Sequence, residues 1–285
     1  MSKGETMVTI GVLHPGEMGS GVGASARVAG TRVLWVSEGR GAATRKRAEA
    51  DGLEDVGTLA RLTREAQVIL SVCPPASAVD VAKQVAAHRF SGIYVDGNAI
   101  APATTRQVGE IVTASGGKFV DGGIIGPPPR KAGVTRLYLS GAGAQDVAAM
   151  LNGGLLQAIA LEGPIGAASA VKMAYAGWNK TQQALLMAVR AYAIHEGVDE
   201  ALLREWSISQ PDLPKRSENA VAGTARKAWR FVGEMEELTA SFAAAGVPAQ
   251  FHEAGAEVYR RLADYKDTPA APSVDEVSKT LARPV

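Results

Sequence analysis

The sequence predicts an α/β protein: a doubly wound parallel sheet followed by an all-helical C-terminal domain. Three observations carry that expectation. Short apolar, β-branched runs alternate with helical segments through the first half of the chain. The first run leads into a glycine-rich turn and a helix of small residues. From residue 163 the pattern is helical only, beginning with GPIGAASAVKMAYAGWNKTQQALLMAVRAYAIHEG.

Composition narrows the class. A chain of 285 residues suffices for one large or two ordinary domains. Hydrophobic residues at 46% with 21% charged residues describe a soluble globular chain. A formal net charge of +1 favours neither nucleic acid nor an anionic membrane, so neither is expected as a partner. The single cysteine, Cys73, excludes an internal disulfide and suits a reducing compartment. The opening MSKGETMVTIGV is too short an apolar run for a signal peptide, and no long uncharged apolar run follows. A cytoplasmic protein is expected. His195 and His252 lack ligand spacing to other histidines, cysteines or acids, so no metal site is expected.

Residues 7–13 (MVTIGVL) read as a buried strand, followed by the turn and its helix. Residues 31–37 (TRVLWVS) read as a second strand and 42–51 as a charged helix. Residues 67–73 (QVILSVC) form a strand ended by Pro74 and Pro75. A helix over 76–88, a strand over 92–96, a helix over 102–115 and strands over 118–121 and 135–140 complete the sheet. This spacing argues for parallel pairing, helices on both faces and right-handed crossovers. Residues 121–126 (DGGIIG) read as a loop entering the run Pro127, Pro128, Pro129.

Residues 163–197 read as one helix, with Pro164 in its first turn and Gly197 as its stop. About 32 residues at about 1.5 Å each make a rod of roughly 48 Å. It is expected to link two domains, residues 1–162 and residues 163–285. Beyond it come a helix over 199–209, a proline-bounded loop over 210–214 and a helix over 225–245. Ala228, Phe231, Val232, Met235, Leu238 and Phe242 give that last helix its apolar stripe. A helix opened by Val247-Pro248 and a short amphipathic piece end the chain. Trp178, Trp206 and Trp229 are expected in a core or a subunit interface.

Four segments carry chemistry. In the turn His14-Pro15-Gly16-Glu17-Met18-Gly19, Gly16 and Gly19 stand where a dinucleotide fold needs glycine. One lets the backbone approach a pyrophosphate and the other lets the helix pack on the strand. Free N–H groups at the helix start would face the phosphates, which makes Pro15, Gly16, Glu17, Met18 and Gly19 candidate cofactor residues. His14 replaces the first glycine of the pattern.

The second strand ends at Ser37, where an NAD site usually has an acid. Here Glu38, Gly39 and Arg40 follow, with Arg45, Lys46 and Arg47 beyond. Cations early in a helix oppose its dipole and fit better beside an anion such as a 2′-phosphate. The segment favours NADP (NADPH) over NAD, with Ser37 and Arg40 at the ribose; Glu38 keeps NAD open.

Cys73 and Pro74 stand at the carboxyl end of a strand, where such sheets bind ligands. With no histidine or cation near it in sequence, Cys73 reads as a small buried residue rather than a thiolate. Asn98 either reaches a nicotinamide or closes an Asx turn. Gly122 and Gly123 read as opening backbone N–H groups to a ligand, with Ile125 beside them.

Lys172 is the only charged side chain between Gly163 and Asn179. Desolvation lowers a lysine's pKa and lets it exchange a proton near neutrality. Tyr175 and Asn179 share its helix face. The plain alternative is a lysine that snorkels to water beside a core tyrosine.

Taken in order, HPGEMG, Ser37, CPP, the DGN and DGG segments and GPIG leading to Lys172 resemble the 6-phosphogluconate dehydrogenase and β-hydroxyacid dehydrogenase superfamily. The resemblance covers residues 7–195, and ARKAWRFVGEMEEL looks like the helical C-terminal domain of a variant subgroup. It implies a Rossmann-type cofactor domain, a pyrophosphate on the glycine turn and a general acid/base at Lys172. It also implies substrate contacts from the segment holding Gly122, Gly123 and Ile125, and a homodimer. Three residues depart from the family pattern. Ala176 stands where an asparagine is frequent, and Tyr175 where the phosphogluconate enzymes have histidine. Ile125 stands where the hydroxyacid enzymes hold a carboxylate with serine. These departures argue against 6-phosphogluconate and small 2-methyl-3-hydroxy acids as substrates.

The expectation is an NADP-dependent dehydrogenase or reductase acting on a small secondary alcohol or carbonyl compound. Lys172 moves the proton, and Tyr175 and Asn179 orient the substrate oxygen. An imine reductase of the same architecture and a non-catalytic dinucleotide-binding protein are the alternatives.

Overall fold

A computed structural model describes residues 7–283 of the chain; the first six residues, part of the signal-peptide reading, lie outside the described residues. The chain forms two compact units, Met1–Met173 and Ala174–Val285.

The first unit is an eight-stranded sheet with helices. Its elements are β1 (Thr9–Leu13), α1 (Glu17–Val28), β2 (Arg32–Trp35), α2 (Ala42–Ala50), β3 (Glu54–Asp55), α3 (Leu59–Glu65), β4 (Val68–Ser71) and α4 (Ala78–Ala87). They continue with β5 (Ile93–Asp96), α5 (Pro102–Ala114), β6 (Lys118–Ile125), β7 (Arg136–Ser140), α6 (Ala144–Leu151), β8 (Gln157–Ala160) and the start of α7 (Ala167–His195). The strand order is β3-β2-β1-β4-β5-β6-β7-β8. Side chains alternate between two apolar layers, as a sheet buried on both faces requires. Along β4, Val68 and Leu70 enter one layer while Ile69 enters the other.

The sheet departs from an all-parallel one at a single pairing, because β6 and β7 run antiparallel. Nor does β6 end at Asp121 as the sequence suggests. It runs on through Gly122, Gly123, Ile124 and Ile125, which pair with Leu139, Tyr138, Leu137 and Arg136. The expected loop over 121–126 is therefore strand up to its last residue. Glycine weakens a strand and reads locally as a break, yet the ladder with β7 holds these residues extended.

The second unit holds most of α7 and then α8 (Asp199–Ser209), α9 (Leu213–Thr224), α10 (Ala228–Ala244), α11 (Gln250–Arg261) and α12 (Val274–Leu281). The long helix starts at Ala167, three residues later than Pro164 implied. The proline-bounded loop is shorter than expected because Pro214 sits in the first turn of α9, where a missing N–H costs nothing. The apolar stripe of α10 buries Ala228, Met235 and Leu238, and Tyr259 of α11 is buried against it and donates to the Lys180 carbonyl at 2.7 Å. Trp206 is buried as expected; Trp178 and Trp229 are exposed on the chain, at 67% and 44%. No helix among the described residues is long and apolar enough to cross a membrane.

Candidate functional site

In the parallel part of the sheet, β1 lies between β2 and β4. Chain growth reverses there, and in sheets of this kind ligands bind outside the carboxyl ends of the strands at such a point. The segments after β1, β2, β4 and β5 all emerge at this edge.

After β1, Gly16 caps α1 without any side-chain bond, which leaves first-turn amides free for an anion. A Cβ on Gly19 would lie 2.7 Å from the His14 carbonyl oxygen and 3.5 Å from Val72 Cβ. Glycine there lets α1 begin against the end of β1. A Cβ on Gly16 would meet nothing nearer than 3.9 Å, so the space beside that exposed residue is open. Pro15 is buried, and its carbonyl accepts from Arg47 Nη1 at 3.2 Å. Glu17 is exposed, whereas the Met18 side chain packs on the core and leaves its backbone for a ligand.

After β2, Ser37 is buried and its carbonyl accepts from Arg40 N at 3.1 Å and Arg45 Nη2 at 2.9 Å. Arg45 also donates to the Arg40 carbonyl at 3.3 Å, so one guanidinium braces the whole loop. Arg40 Nη2 lies 2.7 Å from His14 Nε2. Burial first, and the Arg40 charge second, lower the His14 pKa to about 4, so the ring is neutral at physiological pH. Burial also lowers the pKa of Arg40. His14 Nδ1 and Arg40 Nε are buried without a protein hydrogen-bond partner, and among the described residues Arg40 makes no ion pair. Unpaired buried donors and an unbalanced cation, next to free helix amides and an open glycine, fit the phosphates of a dinucleotide.

After β4, the Cys73 thiol is pushed up to about 11, by burial first and by Asp96 second, and stays neutral. Pro74 beside it is exposed and caps a short 3₁₀ turn. After β5, Asn98 makes the contacts of an Asx turn, one of its two expected roles. This side chain is 2% exposed and fully engaged. Its Oδ1 accepts from Cys73 N at 2.6 Å, and its Nδ2 donates to Asp96 Oδ2 at 2.9 Å and Ser71 Oγ at 3.3 Å. Asn98 therefore closes a turn that fixes the Cys73-Pro74 segment.

The substrate reading of the DGG segment also changes. Gly122, Gly123 and Ile125 are buried strand residues. Their glycines serve close packing: a Cβ on Gly122 would lie 2.7 Å from the Asp96 carbonyl oxygen. On Gly123 it would lie 2.5 Å from the Ala168 carbonyl oxygen and 3.0 Å from Lys172 Cβ. The first turns of α7 thus cross β6 at backbone distance. Ile125, paired with Arg136 at the strand end, is 4% exposed. Pairing of β6 with β5 stops at Asp121.

Asp121, not singled out in the sequence, fixes that crossing. Its fully buried Oδ2 accepts from the amides of Gly166 (2.9 Å), Ala168 (2.9 Å) and Ser169 (3.1 Å) and from Ser140 Oγ (2.8 Å). Its Oδ1 accepts from Ser169 Oγ at 2.6 Å. A strand carboxylate thereby caps the long helix and satisfies amides that would otherwise be orphaned, with a favourable dipole. The cap places half-buried Lys172 against Gly123, two residues past the end of the β5 pairing.

Tyr175 and Asn179 belong to the second unit. Tyr175 is 48% exposed, and Asn179 Nδ2 donates to its carbonyl at 2.9 Å. The structure thus assembles His14 to Gly19 with Ser37 and Arg40, groups Cys73 with Asn98, and sets Gly123 against Lys172. No motif could have revealed Asp121, but a histidine in a glycine position was a visible sign for His14.

Comparison with known proteins bears on the family and the fold. Residues 9–162 match the NAD binding domain of 6-phosphogluconate dehydrogenase, and residues 193–262 match a domain of unknown function, DUF1932. An uncharacterized 28.5 kDa protein in the 7S RNA 5′ region of Methanothermus fervidus is 30% identical over 166 residues, covering 58% of this chain; the match spans only 63% of that protein's length. Among solved structures, the conserved protein MTH1747 of unknown function, described as structurally similar to 3-hydroxyacid dehydrogenases, is 26% identical. That match covers 90% of this chain and 98% of that one, with a TM-score of 0.71. The Mycobacterium tuberculosis 3-hydroxyisobutyrate dehydrogenase with L-serine shares the fold at 18% identity and a TM-score of 0.72, covering 98% of this chain and all of that one (100%).

Proposed function

The chain belongs to the family defined by the NAD binding domain of 6-phosphogluconate dehydrogenase, and from that premise we propose that it is an NADP-dependent oxidoreductase. Its substrate is a small secondary alcohol or the matching carbonyl compound. When bound, the cofactor supplies or accepts a hydride. The glycine turn with its helix amides takes the pyrophosphate, and Arg40 takes the 2′-phosphate. Lys172 exchanges a proton with the substrate oxygen, and Tyr175 and Asn179, three and seven residues on along the same helix, orient that oxygen.

The observation that carries this reading is Arg40: a partly desolvated guanidinium without a carboxylate partner among the described residues, whose own Nε and the neighbouring His14 Nδ1 are both buried without a protein partner. An NAD site usually has an acid at the end of the second strand, where this chain has Ser37, with Glu38 exposed one residue on. We assign cofactor binding to residues 1–162, and substrate contact and dimerisation to residues 163–285. The protein acts in the cytoplasm as a homodimer. The exposed apolar side chains Tyr175, Trp178, Leu185 and Tyr192 support the dimer, since their spacing puts them along one side of α7.

Lys172→Met tests the assignment. The variant is expected to lose hydride transfer, measured as nicotinamide absorbance in single turnover, and to keep NADPH affinity within about threefold. Full hydride transfer by the variant would remove Lys172 from the chemistry.

A further inference from the structure

His14 occupies a backbone conformation that residues with a side chain adopt only uncommonly. It follows β1 with φ +62°, in the left-handed region where glycine normally stands. The dinucleotide pattern has a glycine at this position, and glycine would adopt the turn without strain. Strain retained at the mouth of a binding crevice points to a use for the side chain.

The geometry shows what that use is. A guanidinium has only donors, so the 2.7 Å contact with Arg40 Nη2 makes His14 Nε2 the acceptor. The ring proton then sits on Nδ1, which is the buried donor lacking a protein acceptor, as is Arg40 Nε. A carboxylate in place of the imidazole would also hold the arginine, but it would cancel the charge and repel an incoming phosphate. A neutral histidine orders the guanidinium and leaves its charge intact. It also leaves two donors facing no protein acceptor, which suits an oxygen-rich anion.

We propose that His14 is a positioning residue that holds Arg40 ready for the 2′-phosphate and so sets the preference for NADPH over NADH. This inference rests on the NADP reading given above. Ordering one long side chain before binding is worth about 3- to 10-fold in affinity, and that gain applies only to the cofactor that Arg40 touches.

The test measures NADPH and NADH dissociation constants for wild type, His14→Gly, His14→Asn and Arg40→Gln, with melting temperature as a check on folding. Glycine adopts the turn freely and asparagine tolerates it, so both variants are expected to fold. Arg40→Gln should lose most of the NADPH preference. His14→Gly should bind NADPH about 3- to 10-fold more weakly, with NADH changed by less than about twofold, and His14→Asn should recover part of the loss because its carbonyl can still accept from Arg40. A purely structural role would weaken both cofactors equally, and that result overturns the inference. An unchanged NADPH-to-NADH ratio in His14→Gly also overturns it, while the wild-type preference for NADPH still stands. Wild type without any NADPH preference would overturn the NADP reading and this inference with it.

Discussion

Gly123→Ala probes how Lys172 is delivered to the sheet edge. The added methyl would lie 2.5 Å from the Ala168 carbonyl oxygen and 3.0 Å from Lys172 Cβ. Ordinary contact begins near 3.5 Å, so the first turn of α7 would have to retreat by roughly 1 Å. The amides of Gly166, Ala168 and Ser169, held at 2.9, 2.9 and 3.1 Å from Asp121 Oδ2, would then be pulled toward the limit of hydrogen bonding. Overpacking costs about 1–3 kcal/mol, and the weakened bonds add about 1 kcal/mol. At about 2–4 °C per kcal/mol for a unit of this size, Tm should fall by about 5–15 °C. On the proposed role of Lys172, turnover should fall on the order of 100-fold, since a displacement of about 1 Å costs a catalytic group that much. Calorimetry and a steady-state nicotinamide assay read the two effects. Gly233→Ala is the control: it lies within α10, a Cβ there meets nothing within 4 Å, and alanine should be neutral or slightly stabilising. A Gly123→Ala protein melting within about 1 °C of wild type and turning over within about twofold would refute the close crossing of α7 over β6.

Three more predictions follow from the same structure. Asp121→Ala strips the acceptor from three buried amides and should cost about 3 kcal/mol or more, read by urea denaturation; a loss under about 1 kcal/mol would show that the cap is dispensable. His14 has its pKa lowered from 6.5 to about 4 in the folded chain, so its stabilising share is complete above pH 6.5 and is lost as pH falls toward 4. The unfolding free energy of His14→Gly, read by urea denaturation at each pH, should therefore gain on wild type over that fall by roughly 1–2 kcal/mol after discounting for partial exposure, and a constant difference would contradict the shift. Leu185→Arg, on the exposed apolar side of α7, should turn a dimer into a monomer in light scattering; an unaltered mass would place the interface elsewhere.

The parts legible in the sequence were those set by local pattern. The β1 run, Gly16 and Gly19 identify the strand–turn–helix that opens the sheet because strand, glycine and helix follow one another directly along the chain. Family order along the chain adds the CPP and Lys172 positions. What stayed illegible depends on distant partners. Gly122 and Gly123 look like a loop until β7 pairs with them. Asp121 looks like a turn residue, because the amides it caps lie 45 to 48 residues away. Asn98 offered two readings, and its partner Cys73 lies 25 residues back. Short polar β3 carries no apolar signal at all, since Glu54 and Asp55 are both exposed. At Pro214 the local signal was misread: proline marks a helix start as readily as a loop.

The most direct measurement is titration of the purified chain with NADPH and NADH, followed by energy transfer from tryptophan to nicotinamide. Trp35, buried at the end of β2 beside the Ser37 loop, serves as a donor close to the crevice. NADPH is expected to bind at least about tenfold more tightly than NADH, as one charge-assisted contact to a 2′-phosphate implies. Binding of neither cofactor would mean that His14 has closed the pyrophosphate turn, and would contradict the assignment of this chain as a dinucleotide-dependent oxidoreductase.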